Sequence, residues 1–443
     1  MSGSNESLMD LAVKVAARCK ELGADEASVS VSRGTHVTIQ RRGRKVEQAT
    51  EATNRGLVVS LLADDRYTSN STSDLRPDAL DAFLVRCVDS ARYIETDPLR
   101  RLPERELCGR GVSEEVLDQD DPAWRDRTAG EREGLAKAIE DSLLDQGGDE
   151  VISCSSFVAD GRSEAVRVLS NGFADSSCGA WFSAGADMTL AEGDRRPEAG
   201  SYYACRYLSD LPSAEFIAAE AIEKVKERLG SKPIASGSYP MLLENRTTGR
   251  LLGVLGGPLS GASLHEGRSC LAEKLGTSIA SPLLTIEDDP AIPRGLGSRP
   301  WDGDCLVARP RTIIKDGVLE SYYISLYYAR KLGVEPTTGG RSNWLVKPGE
   351  RSYEQILGGL DKAIVVTGFV GGNSNAATGD FSFGIRGLLV ENGKVVQSLS
   401  EMNVSGNLLR IFQQLVEVGN DPWPWSSTRS PSMLFDGVSF SGS

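Results

Sequence analysis

Apolar and polar residues alternate one for one through much of this chain, in short runs closed by glycine, asparagine or aspartate. A period of two is the signature of a half-buried strand, so most of the sequence is committed to antiparallel sheet. Ala27 to Ser32 and His36 to Arg41 read as two strands, with Arg33-Gly34-Thr35 as the turn between them and Arg42-Gly43-Arg44 as the next. Gly56 to Leu62 follows, closed by Asp64-Asp65. The pattern returns at Glu150 to Asp160, Glu164 to Leu169, Gly179 to Leu190 and Tyr202 to Leu208.

Helical spacing interrupts the alternation at a few places. Leu8, Leu11, Val15 and Cys19 recur on one face of a helix expected from Glu6 to about Leu22, with Gly23 as its stop. Pro77 opens a second helix, since its missing N–H would be unpaired in a first turn anyway. Residues 98 to 130 are rich in Arg, Pro, Glu and Asp and read as a connecting segment. A third helix is expected from Gly130 to Leu144, and a fourth, capped by Ser213, over Ala214 to Leu229.

The Ser231 to Ser238 segment gives the clearest boundary. It divides the chain into an N-terminal region, 1–230, with subregions of about 1–97 and 130–230, and a C-terminal β-rich region, 238–443. Beyond it the expected strands are Tyr239 to Glu244, Arg311 to Tyr323 folded at Lys315-Asp316-Gly317, Asp361 to Val370, and Gly384 to Val396. Glu391-Asn392-Gly393-Lys394 is a hairpin signal. Helices are expected at Thr247 to Leu255 and Asn407 to Val418. The fold class is α+β: an N-terminal α/β half with antiparallel sheets and flanking helices, then a β-rich domain with a few helices.

With 62 acidic against 49 basic residues, the formal charge is -13, which opposes direct contact with nucleic acid or an anionic membrane. The basic run Arg41, Arg42, Arg44, Lys45 reads as a solvated strand and turn, because Glu47 and Glu51 follow at once. Met1 to Gly23 has neither the basic start nor the apolar run of a secretory signal, and no stretch is apolar enough to span a bilayer, so a cytoplasmic location is expected. The eight cysteines are scattered without a C-x-x-C pair and read as free thiols.

Several phrases, taken in order, resemble the TldD/PmbA family over nearly the whole chain. In the first half they are Val37-Thr38-Ile39, Arg55-Gly56-Leu57, Ser71 to Leu75 and Ser170-Asn171-Gly172-Phe173. More specific are Ser269 to Gly276, Ser281 to Pro290, Asp302-Gly303-Asp304, Lys315 to Leu319, Tyr328 to Gly333, Thr378 to Ser382 and Ser405 to Leu408. Each is short; their order along one chain carries the resemblance.

In the family's TldD-like branch a helix bearing H-E-x-x-x-H and a cysteine from near the C-terminus hold a metal, and the glutamate activates water. The PmbA-like (TldE) branch lacks those ligands. The present sequence has two histidines, His36 and His265, and no cysteine after Cys305. The segment matching the metal helix, Thr247 to Gly257, is apolar and glycine-rich. The resemblance therefore implies a chain without a catalytic or metal site of its own, expected to be inactive alone.

It implies a TldD-like partner in a heterodimer, bringing zinc and the glutamate to an unfolded peptide held in a shared chamber. Asn373, Asn375, Thr378, Gly379, Asp380, Phe381 and Ser382 are the groove or interface candidates it suggests here. One alternative is a self-sufficient peptidase using His265 and Glu266, with Cys270 where the second histidine would stand; another is a homodimeric peptide-holding module. The family is also linked by name with DNA gyrase modulation, which the acidic charge does not support as direct DNA contact.

Other patterns have plainer readings. Gly368 to Asn375 lacks the Gly-Lys-Ser/Thr ending of a phosphate loop and reads as a loop between strands. Asp288-Asp289 and Asp302/Asp304 read as turn formers beside Pro290 and Gly303. His36 is expected on a surface or half-buried strand position, and Trp423-Pro424-Trp425 either at a subunit contact or folded onto its own chain.

Overall fold

The structure, a computed structural model, describes residues 7–442. Helix α1 (Leu8–Glu21) starts where Ser7 accepts the Asp10 N–H at 3.1 Å, and it buries Ala12, Val15, Ala16 and Cys19. The expected start at Glu6 lies outside the described residues. Then come β1 (Glu26–Arg42), β2 (Lys45–Ala63), β3 (Arg66–Thr72) and α2 (Pro77–Ala91). The connecting segment holds two short helices, α3 (Glu114–Leu117) and α4 (Ala123–Asp126), and leads into α5 (Ala129–Gly147). Strands β4 (Val151–Leu169), β5 (Ala174–Leu190) and β6 (Glu198–Cys205) precede α6 (Ala214–Lys226).

The six strands form one antiparallel sheet in the order β3-β2-β1-β4-β5-β6. Its strands are longer than the sequence implies. The expected turn at Arg33-Gly34-Thr35 is not a turn: Gly34 sits opposite Asn54 on one side and Ser163 on the other, inside a continuous β1. With a paired strand on each flank, a turn there would orphan backbone groups that straight chain satisfies. β4 likewise runs through Asp160–Glu164 unbroken. Only glycine fits at 161, because a Cβ would lie 2.6 Å from the Trp181 indole nitrogen and 2.9 Å from the Thr35 carbonyl oxygen. The first half of β2 is exposed on both faces, so it carries no apolar period to read; pairing with β1 makes it a strand.

One face of this sheet carries two pairs of helices. Val29 and Val31 of β1 pack with α1 and α2, and Ile39 with α5 and α6. Arg41 points the same way and is buried, not solvated as its basic neighbours suggest. It donates to Glu140 at 3.0 Å and Glu133 at 2.9 Å on α5. Helix α5 begins with a capping box between Thr128 and Glu131. Asp160, fully buried, accepts from Trp124, Arg127 and Arg132 at 2.8–3.0 Å and anchors the connecting segment to β4.

After α6 the chain runs through β7 (Gly237–Leu243), α7 (Asn245–Leu252), a 3₁₀ turn at Gly253–Gly256, α8 (Gly261–His265), β8 (Ile286–Asp288), β9 (Arg311–Lys315) and β10 (Val318–Leu319). It continues with α9 (Leu326–Leu332), β11 (Trp344–Val346), α10 (Tyr353–Gly358), β12 (Lys362–Ser374), β13 (Asp380–Glu391) and β14 (Lys394–Asn407). The last elements are α11 (Leu408–Gln413), β15 (Leu415–Val418), β16 (Thr428–Arg429) and β17 (Met433–Gly442). A small sheet orders β10-β9-β8-β11-β16, and a larger one β14-β13-β12-β7-β17-β15. Because β14 also pairs with β17, five of the larger sheet's strands close on themselves around Phe381, Phe383, Phe435 and Phe440. The Asn392-Gly393 hairpin is present with both residues at positive φ.

Two expectations fail here. Asn407 to Val418 is not one helix: Asn407 caps only the short α11, and the remainder pairs with β17 as β15. Gly368 to Ser374 is not a loop but the outer half of β12, bulged against β13. The connecting segment ties the halves together. Arg330 donates to the carbonyls of Leu99, Arg101 and Leu102 at 2.7–3.1 Å, and Gln119 to those of Gly295 and Ser298.

Candidate functional site

Helix α7 stands where the sequence resemblance expects a metal helix. Its inner face is fixed by buried Leu251 and Leu252, and the Thr247 and Thr248 hydroxyls each donate 2.8 Å back to the Glu244 and Asn245 carbonyls. Residues four apart share a helix face, and on the outer face of α7 these are Arg246 and Arg250. Arg246 bridges to the N-terminal half: it pairs with Glu220 of α6, donates to the Tyr203 hydroxyl at 2.7 Å and lies 3.8 Å over the Trp423 ring.

Trp423-Pro424-Trp425 folds onto its own chain. The two indoles pack on Tyr203 with centroids 5.6 and 5.0 Å away, and Trp425 donates to the Asp210 carbonyl at 3.0 Å. Between edge strand β6, α6, α7 and the outer half of β12 lies a cavity of about 590 Å³. It continues into a second of about 720 Å³ that shares Glu227, Arg228, Thr367 and Arg386.

The cavity's electrostatics are lopsided. Lys224, Arg228, Arg246, Arg250 and Arg386 line it against one carboxylate, Glu227. Burial, then the facing Glu244 and Glu223, push Glu227 up to about 7, with Lys224 opposing. Burial also raises Glu244 and lowers Lys224. None of these residues stands out in the sequence; the Arg-x-x-x-Arg spacing on α7 was the one available signal.

The residues singled out from the sequence lie elsewhere and are tied up locally. His265 is exposed at the end of α8, with its ring 6.1 Å from Tyr328, while Glu266 is paired with Arg268. Cys270 donates its backbone N–H to Ala376 at 2.8 Å, and burial raises its thiol pKa. His36 is half-buried in β1.

The segment from Asn375 to Asp380 is a closed knot. Asn375 accepts the Gly379 N–H through its carbonyl and the Ala377 N–H through its side chain; Asn407 donates to the Thr378 carbonyl at 2.8 Å and to Asp380 at 2.9 Å. Those bonds hold Asp380 below the usual carboxylate range. Asn373 and Ser382 face each other across β12 and β13, and Phe381 is buried. Structure thus brings Cys270 to this knot, but leaves His265 and Glu266 outside it.

The paired aspartates divide. Asp302 accepts the Asp304 and Leu306 N–H groups at 2.9 and 3.0 Å, the expected turn. Asp288 instead is a buried strand residue, accepting from the Tyr323 hydroxyl at 3.0 Å and the Ser342 N–H at 2.8 Å. Turn propensity said nothing about that because its partners are far along the chain. Among the described residues, no group of three or more His, Cys, Asp or Glu side chains converges as a metal-holding set. The residues present do not fit the family's zinc: α7 offers guanidinium groups, which repel a divalent cation, and Glu266 is already held by Arg268.

A long antiparallel sheet with paired helices, followed by a partly closed β-domain entered through α7, is a two-part α+β architecture. The family model for the PmbA/TldA metallopeptidase C-terminal domain matches residues 236–442, and that for PmbA/TldA metallopeptidase domain 1 matches residues 27–92. A solved structure from Bacteroides thetaiotaomicron, described as a candidate modulator of DNA gyrase, is 36% identical, covers 98% of each chain and superposes with a TM-score of 0.94. "Metalloprotease PmbA" of Escherichia coli O157:H7 is 29% identical over 99% of this chain and 97% of its own length. TldE from Thermococcus kodakarensis shares the fold, with a TM-score of 0.85 at 20% identity over 98% of this chain and all of that one. The chain belongs to the TldD/PmbA family, in its PmbA (TldE)-like branch.

Proposed function

We propose that this chain is the non-catalytic, TldE-like subunit of a TldD/TldE-type metallopeptidase, supplying a wall, a peptide groove and an assembly surface to a partner that brings the zinc. The observation that carries the reading is α7, which the resemblance matches to the metal helix and which carries Arg246 and Arg250 but no His, Cys, Asp or Glu between Asn245 and Leu252. Two cations four residues apart oppose a divalent ion and leave no base to activate water. The relatives named metalloprotease and TldE support the peptidase context. An extended peptide needs backbone partners more than special side chains, and strand addition provides them.

The test is to purify the chain from its native cell and assay it with and without what accompanies it. The expected result is a co-purifying protein with H-E-x-x-x-H, and peptide cleavage only when that protein is present. Stoichiometric zinc on the isolated chain, with cleavage abolished by His265→Ala, would overturn the proposal in favour of the self-sufficient site. No helix among the described residues is long and apolar enough to cross a membrane.

A further inference from the structure

The cavity beside α7 is basic in a chain that is acidic as a whole. The whole chain carries a formal -13, yet five basic residues and one carboxylate line this concavity. Low-dielectric walls focus such a field and raise the local concentration of anions. Part of the positive charge is already used. Arg246 is paired with Glu220, Lys224 lies 3.7 Å from the same carboxylate, and Arg228 donates to the Glu198 carbonyl.

Arg250 and Arg386 are different. Both are exposed on the cavity, and neither makes an ion pair or a hydrogen bond among the described residues; Arg250 has the Phe383 ring 5.1 Å beneath it and nothing more. Arg41, Arg132 and Arg246, by contrast, each meet a carboxylate within the fold. Two planar forks left open on one cavity, matched in geometry to carboxylate, are arranged for an anion from outside.

The remaining walls suit an extended chain better than a small ion. Tyr202, 72% exposed, together with Phe369, Trp423 and Trp425, gives flat apolar and aromatic surface beside the charges. Ala199, Gly200 and Tyr202 belong to β6, the edge of its sheet, paired with β5 alone among the described residues. An edge strand offers backbone partners to an added strand. The joined cavity, about 590 and about 720 Å³ in its two parts, has room for several residues, and its second part adds Arg195 and Glu401 to the lining.

We infer that this cavity is a binding site for an extended acidic peptide segment, whose carboxylates are held by Arg250 and Arg386. The inference stands on charge and geometry and is independent of whether the chain has a catalytic partner. It also separates the peptide-contacting surface from the Asn373–Ser382 segment, whose polar groups largely satisfy one another.

The test is fluorescence anisotropy on the full-length chain with a labelled hexaglutamate peptide, beside a hexaglutamine peptide, inorganic phosphate as competitor and single-stranded oligothymidine. The expected result is saturable binding of hexaglutamate, weakened at least about tenfold by the Arg250→Gln, Arg386→Gln double variant, as loss of charge-assisted bonds predicts. Arg92→Gln, at the C-terminal cap of α2, should leave it unchanged. Both cavity arginines are exposed and unbonded, so the double variant should keep the wild-type melting temperature. Equal binding of hexaglutamine, equal affinity in the double variant, complete displacement by phosphate at matching concentration, or tighter binding of oligothymidine would each overturn the assignment.

Discussion

Two polar regions of this molecule look alike in a residue list and differ in what their groups are doing. Around Cys270 and the Asn375–Asp380 knot, amide, hydroxyl and carboxylate groups bond mainly to one another, and Asn407 closes the set. Along α7, Arg246 meets Glu220, while Arg250 and Arg386 remain open on a cavity. The first cluster spends its hydrogen bonds within the chain. The two open guanidinium groups, by contrast, are the ones assigned above to the carboxylates of an acidic peptide.

The comparison can be broken first at Arg246, whose removal should cost the most. Arg246→Ala leaves Glu220 short of its main cation and strips the Trp423 stack, so stability should fall by about 3 kcal/mol in urea unfolding. A loss below about 1 kcal/mol would mean that the bridge between the halves is not where we place it. Asn407→Ala comes next. It removes the cap of α11 and two amide bonds to the knot, for an expected loss of about 2 kcal/mol with hexaglutamate affinity unchanged. Weakened peptide binding in that variant would erase the distinction between the two regions.

A smaller effect is tied to pH. Glu227 has its folded pKa raised from 4.5 to about 7, so the folded chain binds more protons than the unfolded one between those values. The destabilising contribution is absent below about pH 4.5, grows through the window and is complete above about 7. Glu227→Gln should therefore melt at the same temperature as wild type at pH 4, and higher at pH 8. Acidic-peptide binding by wild type should strengthen as pH falls through 7, with that pH response missing in the variant. The smallest effect is at His265. It is exposed at the end of α8, so His265→Ala should change stability by less than about 0.5 kcal/mol. A larger change, or one that appears only with added zinc, would return attention to that site.

Much of the architecture could be read before the coordinates. The Ser213 cap of α6, the Pro77 entry to α2 and the Asn392-Gly393 hairpin are local events, set within a few residues by backbone and side-chain bonding. The site was far less legible. Sequence reasoning stopped at His265, Glu266, Cys270 and the 373–382 segment because reactive residue types and familiar phrases draw attention. The cavity's cations come from α6 and the turn after it, α7 and β13, and no window along the chain contains them together.

The sequence by itself determined the alternation that makes sheets, the positions of caps and turns, the scarcity of imidazole and the acidic charge of the whole. Tertiary structure decided which apparent turns at Gly34 and Gly161 are straight strand, which basic residue is buried against Glu140, and which arginines stay unpaired. The physical reason is range. Dihedral preference and capping act over a turn or so of chain, whereas a charge finds or fails to find its partner only after residues hundreds of positions apart have been packed into one place.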